Sequence, residues 1–300
     1  MQNWIYFVLI AQGIWSITSF IDKIVISKGY IKNPAVYIVL NGLTNIFLIF
    51  LLPFVGFEAL NFTDFLIALI SGITFSIAVT IYYKAVQYDE ISRVVMLNQI
   101  SPIFVLILAF LFLKEELTKN HFIGFLFLIG AGVIMSYKRI KNSFKLSKAF
   151  YYMLVSAFIG AISAVAAKHI FSVANFWTAF VWLRLMGFTA LSVLLLPSIR
   201  HDFIQTFKNM KNNIRVLLGF KMIIDFSAFI FASYALSKGT VSLVIALSTA
   251  VQPLLVFVFA LFTSIYLPKI VREGTDKKTI LTKLFAVVLI VVGIIFINLN

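Results

Sequence analysis

Residues 82–102 read YYKAVQYDEISRVVMLNQISP, and residues 233–253 read SYALSKGTVSLVIALSTAVQP. Side by side they pair Ala85 with Ala235 and Ser92 with Ser242, and both end on a proline, Pro102 and Pro253, after one extra residue in the second stretch. An earlier segment repeats too. TSFIDKIVIS at 18–27 lies over SAVAAKHIFS at 163–172, matching Lys23 to Lys168 and Ser27 to Ser172, and the same offset sets Gly42 on Gly187. The chain reads as a duplication.

The composition says what was duplicated. Of 300 residues 62% are hydrophobic and 12% charged, far from the balance of a water-soluble domain. A spanning helix needs about 20 mainly apolar residues. Ten stretches qualify, approximately 4–27, 34–55, 65–83, 94–113, 121–137, 149–172, 176–197, 216–236, 241–266 and 280–298. The first has no basic region or small-residue cleavage site ahead of it and reads as a retained helix. Connections are short, the longest being IRHDFIQTFKNMKNNIR at 199–215, which leaves no room for a soluble catalytic domain. The expected fold is an all-α polytopic membrane protein of ten transmembrane helices. Residues 1–140 and 149–300 form two five-helix repeats, joined by a basic linker at 141–148. Five is odd, so the second repeat must run inverted relative to the first, an arrangement that builds a midplane site between halves that rock against each other.

The residues also resemble a known family. A first helix carrying Trp15 and ending near Lys23, the stretch YYKAVQYDEIS, a helix with Pro102 closing on FLFLKEEL, and a glycine-rich fifth helix, GFLFLIGAGVIM, look like the EamA-type transporters of the drug/metabolite transporter superfamily. The resemblance implies an acid after the fourth helix, matched by Glu115 or Glu116, and an arginine in the seventh, matched by Arg184. It departs where the ninth helix ends on TSIYLPKI without an acid. Members of that family move small metabolites, amino acids, nucleotide sugars or lipid-linked sugars.

The formal charge of +14 does not indicate nucleic acid, because the Lys and Arg sit in short segments between apolar runs. Loops after helices 1, 3, 5, 7 and 9 hold 17 of them, against three (Lys114, Lys119 and Lys238) on the other side. Positive loops stay cytoplasmic, which sets both termini outside. The resembled family often has them inside. The absence of cysteine excludes a disulfide framework and thiolate chemistry.

Charges inside spans cost about 2.5–3.5 kcal/mol each on insertion scales and therefore face a cavity or a partner. Arg184 and Asp225 both fall near the midplane, counted at about 1.5 Å per residue from their helix starts. They either neutralise each other or recognise substrate, Arg184 a carboxylate or phosphate and Asp225 an ammonium or a coupling proton. Lys221, one turn before Asp225, is the competing partner. Lys23 and Lys168, at matched repeat positions, either snorkel or act with Glu115, Lys221 and Asp225 in gating. Asn98, Gln99, Ser248 and Thr249 are expected to offer hydrogen bonds near bends at Pro102 and Pro253. Asn41, Tyr83 and Trp182 are expected to form the wall, although interhelical hydrogen bonding, core packing or an aromatic belt would also explain them.

Enzyme motifs are missing: His121, His169 and His201 show no metal spacing, and no serine sits in a nucleophile elbow. No cofactor or metal is expected. The sequence thus predicts a non-enzymatic inner-membrane secondary transporter, monomer or homodimer, with the lipid bilayer and a small-molecule substrate as partners. The substrate is expected to be a small polar or zwitterionic metabolite such as an amino acid, exported with protons as the plausible coupling ion. A flippase or carrier of lipid-linked or nucleotide-linked sugars is the alternative within transport, and a non-transporting scaffold subunit the alternative outside it.

Overall fold

A computed structural model describes residues 3–27, 29–31, 33–86, 88, 98–136, 148–266 and 277–299. The described residues are helical, without strands. The helices are α1 (Trp4–Ser27), α2 (Pro34–Thr44), α3 (Phe62–Val86), α4 (Ser101–Leu113), α5 (Lys119–Ser136), α6 (Lys148–Val173), α7 (Phe176–Met186), α8 (Pro197–Asn209), α9 (Asn212–Lys238), α10 (Val241–Tyr266) and α11 (Lys277–Asn298). Five described segments are long and apolar enough to cross a membrane: Ala35–Phe54, Phe62–Ala85, Lys148–Val173, Phe176–Leu195 and Asn212–Lys238. Large apolar side chains face outward, among them Phe54 at 85% exposure and Phe112 at 73%. In water such a surface would drive aggregation, whereas in a bilayer it is the lipid face. The chain is a multi-pass membrane protein.

The segment 199–215, read as a plain connection, contains α8. Its apolar residues Ile199, Phe203 and Phe207 recur every four positions, which lays one stripe along a helix. Phe203 and Phe207 pack on a core of Ile21, Val25, Tyr37 and Leu218, and Asn33 ties the helix down by donating to Asp202 at 2.7 Å.

Helix pairing follows a pattern. α1 packs on α9 and α10, while α6 packs on α3 and α4; α5 packs on α11, and α2 on the continuation of α7. Exchanging α1–α5, in order, for α6, α7, α9, α10 and α11 maps each of these pairings onto another or onto itself. The crossing of α2 and α7 is reciprocal in detail. A methyl added at Gly42 would meet Leu191 and then Ala190, four and three residues beyond Gly187, and one added at Gly187 would meet Asn45, three beyond Gly42. Both helices also tighten to 3₁₀ geometry there, at Asn45–Phe47 and at Gly187–Leu195.

Two antiparallel seams join the early helices to the late ones. Between α3 and α6, Ser71 and Ser163 donate to each other's carbonyls at 3.0 and 2.9 Å, and Ser156 donates to Ala78 at 2.8 Å. Neutral hydroxyls satisfied by backbone carbonyls suit a water-free contact. The seam between α1 and α9 is built from charges and rings instead.

Candidate functional site

Along α9, Lys221, Asp225 and Phe229 recur at four-residue spacing and share one face. On the facing side of α1, Trp15 and Asp22 are seven residues apart, two turns on the same face. Antiparallel packing brings the two stripes into register. Trp15 meets Phe229 edge to face, centroids 5.3 Å apart, and Asp22 meets Lys221 at 3.4 Å.

Asp225 pairs with Lys221, Nζ to Oδ2 at 2.6 Å, and not with Arg184. Of the two partners open from sequence, the nearer in the chain is the one in contact. Equal depth places two groups in one layer but says nothing of their directions around the helix axes. Asp22 is the missed member. It stands near the end of α1, where a charge reads as interfacial, yet it closes an Asp22–Lys221–Asp225 cluster across the α1–α9 seam. A small cavity of about 10 Å³ adjoins it, lined by Tyr37, Asn41, Thr44 and Lys221 with Leu40, Leu218 and Met222. Tyr83 stacks on Tyr37 at 5.3 Å. Asn41, Tyr83, Lys221 and Asp225 therefore gather in one neighbourhood.

Arg184 is in another, one α9 turn further along. Its guanidinium lies 4.2 Å from the Phe229 ring centroid and 6.0 Å from that of Phe180. Its Nε is buried without a hydrogen-bond partner, and among the described residues no carboxylate pairs with it. A cation over aromatic faces gains about 0.5–2 kcal/mol, less than its desolvation asks, and keeps its donors uncommitted. Asn45 presents another buried, unpartnered oxygen, Oδ1, close to Gly187 on the turn after Arg184.

The remaining expected residues are dispersed. Trp182 points away from Arg184, as residues two apart on a helix do; it donates to the Glu58 carbonyl at 2.8 Å and packs on Phe57 and Phe65. Thr249 donates back to Ile245 and Ala246 in its own helix, and Ser248 is half-buried beside it. Asn98 opens a 3₁₀ turn, Asn98–Ile100, that touches α10 and α6. Pro102 is buried in the first turn of α4, where its missing N–H costs nothing. The side chains of Gln99, Lys23 and Pro253 lie outside the described residues, while the backbone of α10 is helical through Pro253.

Lys168 and Glu115 meet at one turn. Lys168 Nζ donates to the carbonyls of Leu236, Ser237 and Gly239 at 2.8, 3.3 and 2.7 Å, at the C-terminus of α9. The Glu115 carboxylate accepts from the backbone N–H groups of Val241 and Ser242 at 2.7 and 3.1 Å, and from the Ser242 hydroxyl. A cation thus caps a helix C-terminus and an anion the next N-terminus, each matching the end of the helix dipole it faces. Lys114, in the left-handed region at φ 52°, makes the turn that delivers Glu115.

Comparison with known proteins agrees with this framework. The riboflavin transporter ImpX of Fusobacterium nucleatum subsp. nucleatum is 32% identical over 123 residues, which is 39% of this chain and 41% of that protein. The chain thus matches less than half the length of that relative. A solved crystal structure superimposes over 99% of each chain with a TM-score of 0.66 at 16% identity, and so shares the fold. Residues 2–137 match the sequence model of the EamA-like transporter family. Over these residues the chain is similar to that family, in the stretch that holds Trp15, Lys23 and the FLFLKEEL turn.

Proposed function

We propose that the chain is a ten-span secondary transporter of two inverted five-helix repeats, residues 1–140 and 149–300. Its substrate is a planar, carbonyl-bearing heteroaromatic metabolite of the riboflavin kind, moved by alternating access. One observation carries the substrate class: the guanidinium of half-buried Arg184 lies over the rings of Phe180 and Phe229, the latter edge to face with Trp15, with donors uncommitted and no acid among the described residues to neutralise it. A flat ring slides between aromatic faces, and its carbonyls accept from a planar fork of N–H donors. The riboflavin transporter relative supports the same class. The exchangeable helix pairings and the reciprocal Gly42 and Gly187 contacts support the inverted repeat. The 17-to-3 bias of Lys and Arg supports an inner-membrane orientation with both termini outside.

Asp225, the acid expected to take an amino-acid ammonium, is already paired with Lys221. The two substrate classes separate in one experiment, thermal denaturation of the purified protein with riboflavin, amino acids or nucleotide sugars. A ligand at about 100 times its Kd adds about 2.7 kcal/mol of stability. Riboflavin is expected to raise the Tm of wild type and not of Arg184→Ala. Stabilisation by amino acids or sugar nucleotides alone would overturn the assignment.

A further inference from the structure

We propose that Asp22, in the Asp22–Lys221–Asp225 cluster, is the site of the coupling proton, separate from the substrate site at Arg184; the proposal rests on the chain being a secondary transporter. Among the described residues the cluster holds two carboxylates and one ammonium, one negative charge in excess, where the side chains of Lys221, Asp225 and Asp22 are 12%, 6% and 25% exposed. An uncompensated charge in a low-dielectric seam is removed by taking up a cation, and the smallest is a proton. The geometry distinguishes the two acids. Asp225 receives the direct 2.6 Å hydrogen bond from Lys221, whereas the buried Asp22 Oδ1 faces the same ammonium at 3.4 Å and has no hydrogen-bond partner among the described residues.

A second observation points to a ligand there. Tyr37 is 3% exposed, its hydroxyl has no partner, and it lines the cavity beside Lys221, which has room for about one water. The groups that face Asp22 are Lys221 and Asp225 from α9, Tyr37 from α2, and Tyr82 and Tyr83 from α3. The cavity meets the cluster at Lys221, so its water-sized space and the Tyr37 hydroxyl open a path to the ammonium that faces Asp22. The proton leaves water on one side of the membrane, bonds to Asp22 Oδ1 to give the neutral acid, and departs to water on the other side after the seam has opened there.

The repeat explains why this seam and not the other. The offset that pairs Ala85 with Ala235 sets Ser71 on Lys221, so the α3–α6 seam has a neutral serine where the α1–α9 seam has the cation. The titratable pair of the α3–α6 seam, His169 with Asp64 at 3.0 Å, stands at the first turn of α3 instead, two turns from Ser71. The α1–α9 seam also adjoins the substrate site, because Asp225 is one turn from Phe229, on which Arg184 rests.

Infrared difference spectroscopy of the purified protein, taken between alkaline and mildly acidic buffer, reads the proton without any substrate. Wild type is expected to gain a protonated-carboxyl C=O band that Asp22→Asn lacks and Asp22→Glu shifts. No such band in wild type, or full intensity in Asp22→Asn, would overturn the proposal. In proteoliposomes, Asp22→Asn is expected to keep riboflavin counterflow and lose accumulation driven by a pH gradient. Gradient-driven accumulation at the wild-type level in that variant, or accumulation that follows sodium and ignores pH, would overturn it as well. If wild type shows no riboflavin counterflow, the substrate assignment fails while the infrared band still decides the proton site.

Discussion

Glu115 and Ser242 are bonded twice, the carboxylate accepting from both the backbone N–H and the hydroxyl, so that the turn after α4 is fastened to the first turn of α10. Since Lys168 holds the adjoining end of α9, residues 236–242 are clamped by charges from two other elements. Glu115→Gln removes the anion and half its acceptor capacity, and is expected to lower stability by about 1–2 kcal/mol. Amide hydrogen exchange at 239–242 should accelerate, and unchanged protection would show that the cap is dispensable.

Lys168→Met strips three carbonyls of their donor, and hydrogen bonds to a charged group are worth about 1.5–3 kcal/mol. Because both residues grip one turn, the double variant Glu115→Gln/Lys168→Met is expected to lose less than the sum of the single losses. Denaturant melts of the four proteins form the cycle; strict additivity would separate the two caps.

Lys221→Met and Arg184→Met should behave oppositely as to stability, although each deletes a cation from a span. The first leaves two carboxylates unpaired and is expected to cost about 3–5 kcal/mol. The second removes a cation whose described contacts are aromatic rings, and is expected to be neutral or stabilising while abolishing riboflavin flux. Folding yield and transport measured on both variants check the contrast.

Gly72→Ala tests the approach of α3 to α7. The added methyl would run into the Met186 carbonyl oxygen and fall 2.6 Å from the Met186 Cβ, so the helices must separate. A loss of about 1–3 kcal/mol is expected, read as a lower Tm.

Lys114→Gly acts in the other direction. The left-handed φ at Lys114 costs an ordinary residue about 1–2 kcal/mol and a glycine almost nothing. Allowing for the greater freedom of glycine in the unfolded chain, a net gain of about 0.5 kcal/mol is expected, visible as a raised Tm.

Much of the fold was legible in the sequence because lipid imposes a length on every span, and α1 and α10 have the bounds their apolar runs suggested. The matched Gly42 and Gly187 marked a real crossing. What the sequence left open was direction around each helix. Counted from their helix starts, Arg184 and Asp225 fall at one depth, yet Asp225 turns to Lys221 and Arg184 to Phe229 a turn away, while Trp182, two residues from Arg184, turns to the Glu58 loop. Asp22 was passed over because a charge near a helix end needs no partner in water, and nothing local announced Lys221 some 200 positions on. The one available signal was spacing: Asp22 follows Trp15 by seven residues, as the charged stripe of α9 repeats by four.

The contrast between the two seams has a practical consequence. Hydroxyls bonded to carbonyls, as Ser71 and Ser163 are, carry no net charge, and salt or acid finds nothing there to screen or titrate. The seam holding Asp22 and Lys221 responds to both. On the other flank the titratable contact is His169 with Asp64 at 3.0 Å, two turns from the serines, so acid and ionic strength pull on the two flanks at different levels.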